Sequence, residues 1–129
     1  MDTNDHTVRE VYAAFNRGDV EGVLAPLAPD VEWRVAPAIP GGRTAYFGPS
    51  DVAEFLRRIS ALSERHQIDL ESVTDVGEHV AVVGRHRIQR ADREVVAFRF
   101  VHTWTLREGL ISAMTELVDS SKLAAPAPG

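Results

Sequence analysis

The hydrophobic pattern of this chain changes its period near residue 65, and that change restricts the folds open to it. In the first half, apolar residues recur three and four positions apart, which is the spacing of one helix face; the clearest case is Val8, Val11, Tyr12 and Phe15. In the second half, apolar and polar residues alternate, as they do in half-buried strands. The alternating segments are 67–76, 79–89, 94–107 and 110–119. Helices followed by a run of antiparallel strands predict an α+β fold with the helices on one face of the sheet.

Three helices are predicted in the first half. The first ends near Gly18, because glycine suits the left-handed position after a last helical turn. Asp19 can cap a second, short helix that runs through Leu24, and Ser50 or Asp51 can cap a third.

A further strand is predicted around residues 31–35, where Val31, Trp33 and Val35 alternate with polar residues. The following segment 36–50 is rich in proline and glycine and is interpreted as a loop or an irregular hairpin. The breaks between the later strands have the length of hairpin turns. A mostly antiparallel sheet of this kind, curved against three N-terminal helices, makes a cone whose mouth is a natural ligand pocket.

Composition limits the classes of function. The 129 residues suffice for one domain with a real core, and a net charge of −5 argues against a nucleic-acid partner. The chain has no cysteine, which excludes disulfides, thiolate nucleophiles and cysteine-ligated zinc. Neither a membrane span nor a signal peptide is visible, so a cytoplasmic protein is expected. The tail 124–129 is rich in alanine and proline and is expected to be flexible, leaving one domain over 1–123.

Three phrases of the sequence resemble one family in the same order: VREVYAAFNRGDVEGVLAPLAPDVEW, FGPSDVAEFL and FVHTWTLREGLISAMTELVD. They look like the SnoaL-like polyketide cyclases of the nuclear transport factor two-like superfamily. The resemblance covers about residues 8–123 and implies the cone-shaped, cystatin-like fold. It also implies a choice of functions, since this superfamily contains cyclases, isomerases, epoxide hydrolases and non-catalytic binding modules.

The most informative polar residues lie in the last two predicted strands. The apolar face of the first of them contains a histidine, since it consists of Phe100, His102, Trp104 and Leu106. A three-residue turn at 107–109 would make His102 and Glu116 diagonal neighbours on that face. A two-residue turn would instead set Thr115 opposite His102 and turn Glu116 away. Glycine as the last turn residue favours the first register.

An acid–base pair is the functional interpretation of His102 and Glu116. Burial disfavours the charged form of a carboxylate, so the pKa of Glu116 is expected to be raised, which would make it a better base near neutrality. His102 would donate and shuttle protons. The resemblance implies the same roles, because polyketide cyclases of this family use an acid on the last strand and a histidine on the preceding one. A buried ion pair without chemistry is the structural alternative.

Other side chains are candidates for lining the substrate pocket. His86 shares the apolar face of its strand, and Tyr46 and Phe47 precede the third helix, where they could form a lid. The complete set of candidate substrate contacts is Trp33, Trp104, Tyr12, Phe15, Tyr46, Phe47, His86 and Met114. The remaining histidines have no partner at metal-ligand spacing, and no phosphate-binding glycine loop is present. Neither a metal nor another cofactor is expected.

The leading hypothesis is a cofactor-independent, aldol-type cyclisation of a polyketide-like or other secondary-metabolite intermediate, a hydrophobic small molecule. A non-catalytic ligand-binding or dimeric module of the same fold is the alternative. By the same resemblance, ketosteroid isomerisation by its known mechanism is rejected, because apolar residues hold the places of its base and its tyrosine. An epoxide hydrolase, for which Arg85 is the candidate arginine, is disfavoured because Arg87 holds the place of its second carboxylate. A homodimer through the outer sheet face is also predicted, since that face mixes Val83, Val101 and Thr103 with arginines.

Overall fold

The computed structural model describes residues 3–36, 42–91 and 94–118. Within these residues there are three helices: α1 (Asn4–Asn16), α2 (Val20–Leu24) and α3 (Pro49–Ser60). The same residues form six strands: β1 (Leu27–Arg34), β2 (Ala45–Phe47), β3 (Arg65–Val76), β4 (His79–Gln89), β5 (Val95–Arg107) and β6 (Leu110–Val118). No helix in the described ranges is long and apolar enough to cross a membrane. The predicted tail 124–129 and the end of the predicted domain at residue 123 lie outside the described residues.

The strands form one curved sheet in the order β2-β1-β6-β5-β4-β3. β1 runs parallel to β6, and every other neighbouring pair is antiparallel. The helices cover the concave face, and the core between the two layers is built from residues such as Val8, Val31, Val52, Val82 and Ile111. The prediction of an α+β fold with a mostly antiparallel sheet under N-terminal helices is confirmed.

The helix starts follow local chemistry, with one correction. Asp19 caps α2 as predicted, since its Oδ1 accepts the Gly22 N–H at 2.9 Å. Neither Ser50 nor Asp51 caps α3, because Gly48 is the N-cap and the helix begins at Pro49, a residue well suited to the first helical position. The Asp51 carboxylate accepts the Phe47 N–H at 2.9 Å instead.

The proline- and glycine-rich segment contains a hairpin strand. β2 pairs antiparallel with β1 and sets Tyr46 opposite Trp33. β1 itself starts at Leu27, earlier than the alternation around Val31 predicted, because the register of its pairing with β6 shifts between Leu27 and Glu32. Residues 37–41 of the segment lie outside the described residues.

The β5–β6 hairpin follows neither of the two predicted registers. Its turn is the two-residue one, with Glu108 and Gly109 both at positive φ (52° and 79°) between the paired Arg107 and Leu110. A β-bulge then leaves Ser112 without a register partner on β5, although its hydroxyl donates to the Thr105 carbonyl at 3.2 Å, and it shifts the register by one residue. His102 and Glu116 therefore lie directly opposite each other instead of diagonally.

The outer sheet face carries the arginines seen in the sequence, and most of them pair. Arg87 binds Asp69 through two hydrogen bonds, and Arg99 binds Glu71 in the same way. Val101 and Leu117, which are register partners, are exposed among them. This face is therefore a charged ladder interrupted by apolar side chains.

Candidate functional site

A cavity of about 90 Å³ lies between the helices and the concave face of the sheet. Most of its wall is apolar, and its polar groups come from the sheet: His66 on β3, His86 on β4, His102 on β5 and Glu116 on β6. The apolar lining residues are Val11, Phe15, Val23, Trp33, Val35, Phe55, Leu56, Ile59, Ile68, Ile88, Phe98 and Met114, with Tyr12 and Trp104 beside them.

The Glu116 carboxylate is the centre of the polar groups. Its Oε2 accepts a hydrogen bond from His102 Nε2 at 2.6 Å and another from His86 Nε2 at 2.7 Å. β4 and β6 are not neighbours, and a flat sheet would separate them by about 9.6 Å. The curvature of the sheet lets His86 reach over β5 to the same oxygen.

The pKa of Glu116 is lowered, contrary to the expectation from the sequence. Burial alone would raise this pKa. The hydrogen bonds from His102 and His86, together with their electrostatic attraction for the carboxylate, outweigh burial and hold the pKa well below its ordinary range. The raised pKa expected from the sequence took into account only the apolar surroundings of Glu116 and one imidazole, that of His102. Two imidazoles on one oxygen reverse the sign, so Glu116 is ionised at neutral pH.

Two arms of hydrogen bonds extend from this carboxylate. In the first, His102 Nδ1 is 2.5 Å from the Tyr12 hydroxyl, which accepts the Trp104 Nε1–H at 3.0 Å. In the second, His86 Nδ1 is 2.9 Å from His66 Nε2.

The donor inventory fixes the direction of the first arm. An indole nitrogen only donates, so Trp104 donates to Tyr12 and the Tyr12 hydroxyl proton points to His102 Nδ1. Burial raises the pKa of Tyr12 well above its ordinary value and lowers the pKa of His102, so the phenol stays protonated and the imidazole neutral. The single proton of His102 is then on Nε2, directed at Glu116.

Aromatic packing holds the imidazoles in place. The Phe100 ring stacks on His102 with centroids 3.8 Å apart and lies 4.8 Å from His86. Phe100 can approach because its β4 partner is Gly84, where a Cβ would come within 2.6 Å of both the Phe100 ring and the Asp69 backbone oxygen. The missing side chain at Gly84 therefore makes room for the ring that supports both histidines.

Three of these residues could also be considered as metal ligands. The ligand atoms of His86, His102 and Glu116 all lie within 4.8 Å of one another. This cluster was not predictable from ligand spacing in the sequence, because the three residues come from three strands. Ligands around one tetrahedral ion at about 2.1 Å stand about 3.4 Å apart, whereas each Nε2 is 2.6 or 2.7 Å from Oε2. These short separations are those of hydrogen bonds, and we interpret the cluster as a proton network.

Comparison with known proteins identifies the family. The sequence model of the SnoaL-like domain matches residues 8–114. This chain belongs to the SnoaL-like family. No curated protein sequence matches it significantly.

Solved structures extend this result. An NTF2-like protein of unknown function from Burkholderia pseudomallei K96243 is 30% identical, with a TM-score of 0.86 and 95% of each chain covered. The structure of TerC co-crystallised with polyporic acid is 26% identical, with a TM-score of 0.83 and 92% of each chain covered. A loop-truncation variant of IdmH, at 19% identity and a TM-score of 0.80 over 95% of this chain and 98% of its own, shows the same fold.

Most of the pocket residues proposed from the sequence line the cavity of this SnoaL-like domain: Tyr12, Phe15, Trp33, His86, Trp104 and Met114. Tyr46 and Phe47 do not, and the lid proposed for them is wrong. The Tyr46 side chain on β2 is 1% exposed and packs against Phe55 of α3, whereas the Phe47 side chain is 55% exposed to solvent. The reason is the hairpin: a strand, not a free loop, carries both rings.

His66 is the polar cavity residue that the sequence reasoning missed. The predicted strand begins at residue 67, two residues after the observed start at Arg65, so the prediction excluded His66 from the face that it shares with Ile68 and Leu70. In the structure it is a diagonal neighbour of His86, because Ile68 is the register partner of His86 and Ile88 is that of His66. Extending the alternation back by one residue would have found it.

Proposed function

We propose that this SnoaL-like domain is an enzyme of secondary metabolism that carries out a cofactor-independent, aldol-type cyclisation of a polyketide-like intermediate. Glu116 is the acceptor of the substrate proton and His102 is its partner. The observation that supports this proposal is a carboxylate, ionised at neutral pH, at the focus of an imidazole network in an apolar cavity. One similar structure supports a small-molecule substrate, since TerC was co-crystallised with the small molecule polyporic acid.

The lowered pKa of Glu116 restricts the substrate class. A carboxylate of low basicity can remove only a strongly acidified proton, because the driving force of the transfer depends on the match of the two pKa values. A carbon between two carbonyl groups, as in a poly-β-ketone chain, carries such a proton. After C–H cleavage the carbanion attacks a second carbonyl, a C–C bond forms, and the resulting alkoxide takes the proton back.

The cavity wall also contains an indole N–H without a hydrogen-bond partner. Trp33 lines the cavity, and its buried Nε1–H has no hydrogen-bond acceptor in the described part of the chain. This nitrogen is enclosed by protein, so it would bond a substrate carbonyl only after neighbouring side chains move.

The size of the cavity indicates how a substrate would be placed. A cavity of about 90 Å³ is smaller than the usual ligand pocket of about 300 Å³ or more. It adjoins an outer groove of about 280 Å³, and both are lined by Phe15, Val23, Leu56, Ile59 and His66. The reacting carbons of the substrate would occupy the cavity, and the rest of the molecule would lie in the groove.

A non-catalytic binding module is the second candidate, and the complete pairing of the two histidines with Glu116 favours it. An epoxide hydrolase is disfavoured further, because Arg85, the candidate for the arginine of that enzyme, is exposed and is not among the residues that line the cavity.

The test is a pair of substitutions read out by both rate and stability. Glu116→Gln keeps the shape and removes the proton acceptor, so turnover of a poly-β-ketone substrate should fall by roughly 10²- to 10⁴-fold. His102→Ala should lower turnover by a smaller factor. The matched control is Glu10→Gln, at an exposed carboxylate on α1. A wild-type protein that binds such compounds without converting them, and whose Glu116→Gln variant differs only in thermal stability, would favour the binding module.

A further inference from the structure

His66 lies where the cavity meets the outer groove, and it lines both. Its ring is half-buried and stands edge-on to Phe15, with centroids 4.9 Å apart. It is therefore the one imidazole of the network that also borders the outer groove.

The hydrogen bonds leave His66 with an unused basic nitrogen. The His86 Nε2–H donates to Glu116, so a neutral His86 accepts at Nδ1 from the His66 Nε2–H. Nδ1 of His66 then carries a lone pair, and within the described ranges it makes no hydrogen bond. Burial and the neighbouring His86 lower the pKa of His66 to about 4, so this lone pair is free at neutral pH.

We propose that His66 is a further catalytic residue, which takes the proton from the substrate and passes it through His86 to Glu116. This assignment rests on the proposed function and adds the route of the proton. The substrate C–H bond breaks and a bond to His66 Nδ1 forms. The proton on His66 Nε2 moves to His86 Nδ1, and the proton on His86 Nε2 moves to Glu116 Oε2. One proton has left the substrate, one has reached the carboxylate, and both imidazoles are neutral with their tautomers exchanged.

The relay avoids the charge that His66 tolerates poorly. A lone imidazolium at this half-buried position is disfavoured, as its lowered pKa shows. Transfer along the two hydrogen bonds, 2.9 and 2.7 Å long, moves the proton to the carboxylate instead. The resting protons already point in that direction, so no ring has to turn before the transfer. Direct transfer to the second oxygen of Glu116, Oε1, is the competing route.

The experiment measures α-proton exchange of a small probe, which does not require the natural substrate. Ethyl 2-methylacetoacetate has a single proton between two carbonyls, and its replacement by deuterium in D₂O is followed by NMR. His66→Gln can still donate a hydrogen bond to His86 but cannot relay a proton. The matched control is His79→Gln, which alters an exposed histidine on β4 outside the network.

The expected result is that His66→Gln lowers the enzyme-dependent exchange rate by about 100-fold, with circular dichroism unchanged, while His79→Gln keeps the wild-type rate. Wild-type exchange in His66→Gln together with its loss in Glu116→Gln would overturn the relay and leave the proposed function standing. Wild-type exchange in Glu116→Gln, or a wild-type rate equal to that of buffer, would refute the proposed function.

A second measurement tests the relay without any substrate. Long-range ¹H–¹⁵N correlation spectra distinguish the two ring nitrogens of each histidine. We expect His66 and His86 to be protonated at Nε2 only at pH 7. A proton on Nδ1 of His66 at this pH would overturn the relay, because the nitrogen to which the relay assigns the substrate proton would have no lone pair.

Discussion

Acidification should destabilise the protein through His66, and the size of the effect follows from its pKa. The ordinary value of 6.5 applies to the unfolded chain, and burial with the nearby His86 lowers the folded value to about 4, against a smaller opposing effect of Glu116. Above pH 6.5 the His66 imidazole is neutral in both the folded and the unfolded state, so the free energy of unfolding does not depend on it. As the pH falls below 6.5 the unfolded state binds the proton first, so the free energy of unfolding decreases until about pH 4. Between pH 7 and pH 5 this single group removes about 2 kcal/mol.

The assay is urea denaturation of wild type and His66→Gln at pH 7 and pH 5. His102 and Glu116 also have lowered pKa values and destabilise the folded state in acid, but they are present in both proteins. The difference between the two losses isolates His66. We expect the variant to lose about 2 kcal/mol less than wild type between the two pH values. Equal losses would refute the buried, neutral state of this imidazole.

Three further predictions concern packing, the network and assembly. Gly84→Ala should lower the free energy of unfolding in urea by about 1–3 kcal/mol, because the new methyl group meets the Asp69 backbone oxygen at 2.6 Å; a stability equal to wild type would contradict this. Tyr12→Phe should destabilise the protein by about 1–3 kcal/mol through the unpaired His102 Nδ1, whereas Tyr46→Phe, whose buried hydroxyl makes no hydrogen bond in the described residues, should lose less than half of that. Light scattering at micromolar concentration should give the mass of a homodimer formed through the outer face of the sheet, and a monomer mass would count against that interface.

The overall fold was predictable because its signals are local and repeated. The stripe from Val8 to Phe15 and the alternation after residue 65 each depend on many residues, so one irregularity does not hide them. The packing of helices on a mostly antiparallel sheet follows from those two periods.

The register of the last hairpin was not predictable in the same way. The sequence is compatible with a two-residue or a three-residue turn, and the chain uses the two-residue turn plus a bulge at Ser112. A bulge changes the facing of every residue beyond it, but it depends on how the backbone bends within the sheet and leaves no clear mark in the sequence. His102 and Glu116 lie opposite each other because of this bulge, which neither of the two predicted registers included.

The carboxylate shows why burial alone does not decide the chemistry of a site. An apolar wall by itself would raise the pKa of Glu116 and keep a proton on it, giving a carboxylic acid at neutral pH. Two strands each deliver an imidazole N–H to the same oxygen, and the pKa is lowered instead. Each imidazole is in turn oriented by a hydrogen bond to its own partner, Tyr12 for His102 and His66 for His86. The Tyr12 arm ends in a phenol and an indole that keep their protons. The His66 arm ends in a residue that borders the groove and whose Nδ1 makes no hydrogen bond in the described part of the chain, so only this arm can accept a proton from a bound molecule. His86 and His102 bind the same carboxylate oxygen, but the difference between their two arms means that, of these two histidines, only His86 can pass a proton from a bound molecule to Glu116.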